Sequence, residues 1–138
     1  MVRLGYSLIS IAMVLVALTG CSGNKVAVTA GLGERFTIGV GQSAQITGED
    51  MIVTFNGVIG DSRCPQNVTC VWEGVASSNI TIVYQDREYT VVLNSPGLTE
   101  QATENFIDYT LTYSLNPYPR EGEEISPNDY RLTLTLIK

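Results

Sequence analysis

Histidine is absent from all 138 residues. That absence removes His-based acid–base catalysis, Ser-His-Asp and Cys-His nucleophile systems, and the commonest transition-metal ligand. Cationic side chains are scarce, 8 against 14 acidic ones, giving a net charge of −6. An acidic body of this kind disfavours nucleic acid and anionic lipid headgroups as partners. Long apolar runs are lacking as well. The longest, Leu8 to Leu18, has eleven residues, short of the roughly 20 that a spanning helix needs. Carboxylate catalysis remains formally open but has no motif behind it, so the expectation is a non-enzyme without a cofactor or metal.

The apolar run follows a weakly basic start in which Arg3 is the only charged side chain, and it ends in Leu18-Thr19-Gly20-Cys21. Length and flanks suit a signal peptide. The tetrapeptide resembles the lipobox of bacterial lipoproteins, in which cleavage precedes the cysteine and that cysteine carries the lipid. The resemblance implies a cleaved leader over 1–20 and a lipidated Cys21. It also implies a membrane-anchored, extracytoplasmic body (periplasm or cell surface). Two or three acyl chains would hold stably, each buried methylene contributing roughly 0.8 kcal/mol. Loss of Arg3 with the leader takes the net charge from −6 to −7. Residues 21–33 are small, polar or weakly apolar and read as a tether, leaving 34–138 as a single domain.

From residue 34 the pattern alternates with period two. Phe36, Ile38 and Val40 are one apolar face; Met51-Ile52-Val53-Thr54-Phe55 is a second run, closed by Asn56-Gly57 as a turn or bulge. Val71 to Ala76 reads as a short strand around Trp72. Asn79 to Gln85 and Glu88 to Leu93 read as a hairpin about Asp86-Arg87, stopped by Asn94-Ser95-Pro96-Gly97. Residues 98–105 are polar, a loop or an irregular edge. Two strands finish the chain, one with Ile107, Tyr109, Leu111, Tyr113 and Leu115 on one side, the other with Tyr130, Leu132, Leu134 and Leu136. Alternation of this kind marks antiparallel sheets with one wet face. The expected fold class is all-β, an antiparallel β-sandwich or small barrel of about six to eight strands.

With Cys21 assigned to the lipid, Cys64 and Cys70 remain, spaced C-x5-C. In an exported protein such a pair is most simply a disulfide, contributing about 2.4 kcal/mol in a chain-entropy model. A redox pair usually has C-x-x-C spacing, and zinc needs four ligands where two thiols and no imidazole are present.

The cysteines lie in the densest stretch of the chain, Asp61-Ser62-Arg63-Cys64-Pro65-Gln66-Asn67-Val68-Thr69-Cys70-Val71-Trp72-Glu73-Gly74. This stretch resembles a family of uncharacterised bacterial exported proteins and lipoproteins with a D-S-R-C-P…C-x-W-x-G signature. Leu115-Asn116-Pro117-Tyr118-Pro119 and Asp129-Tyr130-Arg131 extend the likeness over most of the chain. The resemblance implies an exported, sandwich-like β-domain and brings no activity with it.

Two readings of the loop follow from its chemistry. As a structural element, Asp61 accepts backbone N–H groups, Arg63 pairs with Asp61 or Glu73, and Trp72 covers the cystine as an apolar lid. As a recognition tip, it presents Arg63, Gln66, Asn67 and Trp72 to a ligand, with Tyr118 as a further stacking surface. Asn67-Val68-Thr69 and Asn79-Ile80-Thr81 match the glycosylation sequon, which has no use in a bacterium. Glu121, Glu123, Glu124 and Asp129 lack the spacing of a calcium loop, and Ser62 lacks a base. The functional expectation is a lipid-anchored, non-catalytic binding or interaction module. Its partners would be the membrane, through the anchor, and an envelope protein or polysaccharide, with no nucleic acid. Alternatives are a protease inhibitor using the disulfide loop and a purely structural envelope lipoprotein.

Overall fold

The computed structural model describes residues 26–138; the leader and Cys21 lie outside them. Nine strands are described: β1 (Val26–Ala30), β2 (Arg35–Gly39), β3 (Ser43–Ile46), β4 (Met51–Asp61), β5 (Val75–Tyr84), β6 (Arg87–Pro96), β7 (Ala102–Phe106), β8 (Tyr109–Asn116) and β9 (Arg131–Ile137). They form two sheets, β1-β3-β4-β5-β6 and β2-β9-β8-β7. The sheets share one core, so the fold is a β-sandwich with no closed barrel. All pairings are antiparallel except β1 with β3.

Period-two alternation generates this core directly. Phe36 and Ile38, then Met51, Val53 and Phe55, then Ile80 and Ile82, and finally Leu132, Leu134 and Leu136 all point inward and are buried. Their neighbours in sequence face out. Most of these inward side chains are fully buried, each contributing roughly 1.5–3 kcal/mol against exposure. β9 sits in the middle of its sheet, between β2 and β8. It therefore carries two ladders at once, which makes the last strand integral to the fold.

Five boundaries differ from the sequence reading. β1 lies within the stretch read as tether, so the sheet begins at Val26, earlier than residue 34. The strand expected at 71–76 begins only at Val75, because the disulfide loop holds 71–74 out of the ladder. β6 runs on past Leu93 to Pro96; it is an edge strand, where proline forfeits no ladder bond. Residues 102–106 form β7, an edge strand of the four-stranded sheet. Ile107, expected on the apolar face, instead sits 55% exposed in the two-residue turn closing β7 and β8, with φ of 53°.

The Asn56-Gly57 dipeptide proves to be a bulge. β4 continues across it to Asp61, with register shifts between Phe55 and Gly57 and again between Val58 and Gly60. Gly57 takes φ of 142°, open to glycine and rarely to other residues. The two irregularities twist the end of β4 so that it carries the disulfide loop over one end of the sandwich. The β5–β6 hairpin turns through Gln85 and Asp86, both at positive φ, as a two-residue loop requires.

Candidate functional site

The end of the sandwich beyond β4 is organised by Asp61 and Arg63. Arg63 is 5% exposed and points into the gap between the sheets. Its Nε donates to Asp61 Oδ1 at 2.9 Å and its Nη2 to Asp61 Oδ2 at 2.6 Å, a two-point ion pair. Nη1 donates to the Leu115 carbonyl at 2.9 Å and Nη2 to that of Pro117 at 3.0 Å. One guanidinium thus joins β4 in the first sheet to the end of β8 in the second. Asp61 also accepts from its near neighbour, the Arg63 N–H at 3.2 Å, and from Tyr130 Oη at 3.1 Å.

The electrostatics follow from that geometry. Burial pushes the Asp61 carboxyl up, but the hydrogen bonds and charge of Arg63 outweigh it and hold the group below its ordinary value. The Tyr130 hydroxyl moves the other way, raised by burial and by the adjacent Asp61 charge.

Cys64 and Cys70 form a disulfide with Cα atoms 6.0 Å apart. The loop it closes is tied down on two sides. Cys64 N–H donates to the Glu73 carbonyl at 2.9 Å, and Gln66 N–H donates to that of Pro119 at 3.0 Å. Tyr118 Oη donates to the Cys64 carbonyl at 2.9 Å and accepts from the Leu98 N–H at 3.2 Å, while Arg63 lies 4.9 Å from its ring centroid. A third connection is pure backbone: Gly97 N–H donates to the Gly74 carbonyl at 3.0 Å. A Cβ on Gly74 would stand 1.8 Å from the Ser62 carbonyl oxygen, and one on Gly97 1.9 Å from that of Glu73. Only glycine lets these three chain segments close together.

The candidate residues therefore separate. Arg63, expected either as a structural ion or as a ligand contact, is committed to Asp61 and two carbonyls. Asp61, not Glu73, is its carboxylate. Tyr118 is half-buried with its hydroxyl engaged on both sides, so its free surface is small. Gln66 and Asn67 are exposed on the loop, Asn67 with φ of 65°. Trp72 is no lid: it is 81% exposed, beside Val71 at 89%, and Leu98 across the glycine contact is 79% exposed. Cys64 is nonetheless buried, its sulfur lying 3.3 Å from the Val68 carbonyl of its own loop.

Between the disulfide loop and the β6–β7 connection lies a cleft of about 440 Å³. Its inner wall is Ser95, Tyr113 and Leu115; Pro65, Asn67 and Val68 stand on one side, Leu98, Thr99 and Glu100 on the other. Ser95 is 6% exposed, and its hydroxyl has no hydrogen-bond partner among the described residues. Tyr113 Oη donates to the Asn94 carbonyl at 2.9 Å, closing the sandwich just inside the cleft. Sequence reasoning missed Ser95, Leu98 and Glu100 because it ended the strand at Leu93 and read the residues beyond as a stop and a polar loop. The available signal was the alternation itself, in which Leu93 and Ser95 share a face and the second is too small to fill it.

Comparison with protein-family models, with curated proteins and with solved structures gave no match, so the site rests on its own geometry. Among the described residues no group of three or more acidic or cysteine side chains converges as a metal site. No helix there is long and apolar enough to cross a membrane.

Proposed function

We propose that the chain is a lipid-anchored interaction module of the bacterial cell envelope, non-catalytic, which holds a partner protein at the disulfide-loop end of its sandwich. The observation that carries this reading is the placement of Val71, Trp72 and Leu98. Three large apolar side chains stand 79–89% exposed at one end. They sit on segments held rigid by the cystine, the Asp61–Arg63 pair and the Gly74–Gly97 contact. Solvent-facing apolar groups gathered on a stiff support are what a partner buries. A protein is favoured over a polysaccharide because aliphatic groups flank the tryptophan, whereas sugar platforms set aromatic rings among polar hydrogen-bonding groups. The same exposed Val71-Trp72 pair, directly after a cystine, also fits insertion into a protease cleft, which is the second reading.

The anchor rests on the resemblance of Leu18-Thr19-Gly20-Cys21 to a lipobox. Mass spectrometry of the protein isolated from bacterial membranes is expected to find an acylated Cys21 as its first residue. A photo-crosslinker at position 71 in the full chain is expected to trap one envelope protein, and Trp72→Ala to abolish that product with an unchanged melting temperature. An unmodified amino terminus defeats the envelope assignment. Crosslinking that ignores Trp72→Ala defeats the docking end. Slow turnover of the crosslinked partner as a protease would select the inhibitor.

A further inference from the structure

Resting on the reading of the chain as a lipid-anchored module that docks through its disulfide-loop end, we infer that this end faces the anchoring bilayer. The partner it holds is then an integral membrane protein, met at its extracytoplasmic surface through an apolar patch edged by basic residues.

Strand direction sets the side from which the chain arrives. β1 runs parallel to β3, and β3 runs antiparallel to β4. The chain therefore enters β1 from the side toward which β4 runs, and β4 leads into the disulfide loop. Val26 pairs with Ser43, Ser43 with Thr54 and Thr54 with Thr81, so these four stand level across the sheet. The last rung, Val75–Pro96, lies six places beyond Thr81 on β5, roughly 20 Å toward the loop. Val71, Trp72 and Leu98 belong to the connections beyond that rung.

A short lead limits where the bilayer can lie. Residues 22–25 separate Cys21 from Val26, and these five Cα steps span at most about 17 Å. Continued in the direction of β1, that reach ends near the level of the Val75–Pro96 rung. Sheet twist between β1 and β5 turns the lead off that axis and shortens its reach further. A reversed lead would use about three steps on a turn and keep about 7 Å for the return. The opposite end is out of that range. Its Met51–Tyr84 rung lies three places, roughly 10 Å, from the Val26 level, and the Gln85-Asp86 turn lies further still.

The occupant follows from the space and the charge. The apolar tip stands as far out as the lead can reach, which leaves no gap for a water-soluble domain; at 100 residues such a domain has a radius of gyration of about 13 Å. A protein already seated in the bilayer needs none. The bilayer itself is the poorer occupant. Glu73, Glu100, Glu121, Glu123 and Glu124 are exposed on the connections at this end, against Arg120. Carboxylates in that number are repelled by anionic headgroups and match basic residues on a protein.

The test uses the acylated full chain, purified from bacterial membranes and reconstituted in vesicles of phosphatidylcholine and phosphatidylglycerol. Trp72 is the sole tryptophan, and a headgroup nitroxide lipid is expected to quench it about twofold or more at the distance the lead allows. A tryptophan at the opposite end, Ile107→Trp in a Trp72→Phe background, should keep most of its emission. A Gly/Ser insert of about 16 residues after Lys25, adding roughly 20 Å of reach, should restore Trp72 emission about twofold. Equal quenching at the two ends, or stronger quenching at position 107, overturns the orientation. Stronger quenching of Trp72 by bromines deep in the acyl chains makes the bilayer the occupant and overturns the membrane-protein partner. In bacterial membranes, the position-71 crosslink should map to the extracytoplasmic face of a protein with spanning segments, and a trapped protein lacking them overturns the inference. The two proposals fail separately. Trp72-dependent crosslinking to a water-soluble protein, with Trp72 unquenched in vesicles, keeps the module and removes the orientation. Headgroup quenching with a crosslink that ignores Trp72→Ala keeps the orientation and removes the docking end.

Discussion

Removing the Arg63 side chain tests the account of this end most directly. Arg63→Ala deletes a buried cation whose side chain is 3% exposed and leaves Asp61, at 9%, without its counter-ion. It also frees the Leu115 and Pro117 carbonyls. Breaking a buried ion pair from one side costs about 3–5 kcal/mol, since the remaining charge stays desolvated. At about 4 °C per kcal/mol for a domain of this size, the melting temperature should fall by roughly 12–20 °C. Asp61→Ala together with Arg63→Ala should cost clearly less than the two singles added, with a coupling of about 2 kcal/mol. Arg63→Lys keeps the charge but not the planar fork, and should recover less than half of the loss. The pH dependence supplies a second arm. The Asp61 carboxyl titrates below its ordinary value of 3.8 in the folded chain. Its stabilisation is therefore complete above that value and is lost as the pH falls through the lower, folded one. Thermal unfolding followed by circular dichroism from pH 2 to pH 6 should show this acid limb in the wild type and a shallower one in Asp61→Asn. An Arg63→Ala domain melting within about 4 °C of the wild type would refute the reasoning, as would additive single and double variants.

Three further outcomes are expected. Tyr109, Tyr113 and Tyr130 all have hydroxyls raised by burial, first, and then by nearby carboxylates. Their protonated forms stabilise the fold fully below pH 10 and lose that contribution above it, so phenolate absorbance for these three should appear only together with unfolding. Gly97→Ala drives a Cβ to 1.9 Å from the Glu73 carbonyl oxygen, a backbone atom that cannot swing away. It should cost about 3 kcal/mol or more in urea unfolding, whereas Gly41→Ala, with nothing within 4 Å, pays only for its φ of 78°. Ile107→Gly relieves a β-branched residue held at φ of 53° on an exposed turn and should raise stability by about 1 kcal/mol, read as a higher urea midpoint.

The core was legible because it obeys one rule. Inward side chains of β4, β5 and β9 recur two places apart and are apolar, with the fully buried Ser78 of β5 the exception, and the strands follow. The edges were less legible. β1, with the small residues Val26 to Ala30, has no strong alternation and is placed by pairing with β3, a long-range fact. β7 is polar because its outer side has no neighbour. Among the site residues, Asp61, Arg63 and the cystine could be read from their spacing. Trp72 was misread as cover, since large aromatics near cystines are usually buried and nothing local reveals that this one stands in solvent. The cleft depends on where β7 stops, which is set by contacts between segments far apart in sequence.

Trp72 is the sole tryptophan of the chain, and it stands in solvent at the proposed docking end. The protein thus carries its own optical reporter at the place where an encounter would occur. Excited selectively, it should emit at the long wavelength of a hydrated indole and shift to the blue as a partner dehydrates it. Binding can then be followed without attaching a dye, and an encounter elsewhere on the surface would leave that emission unmoved.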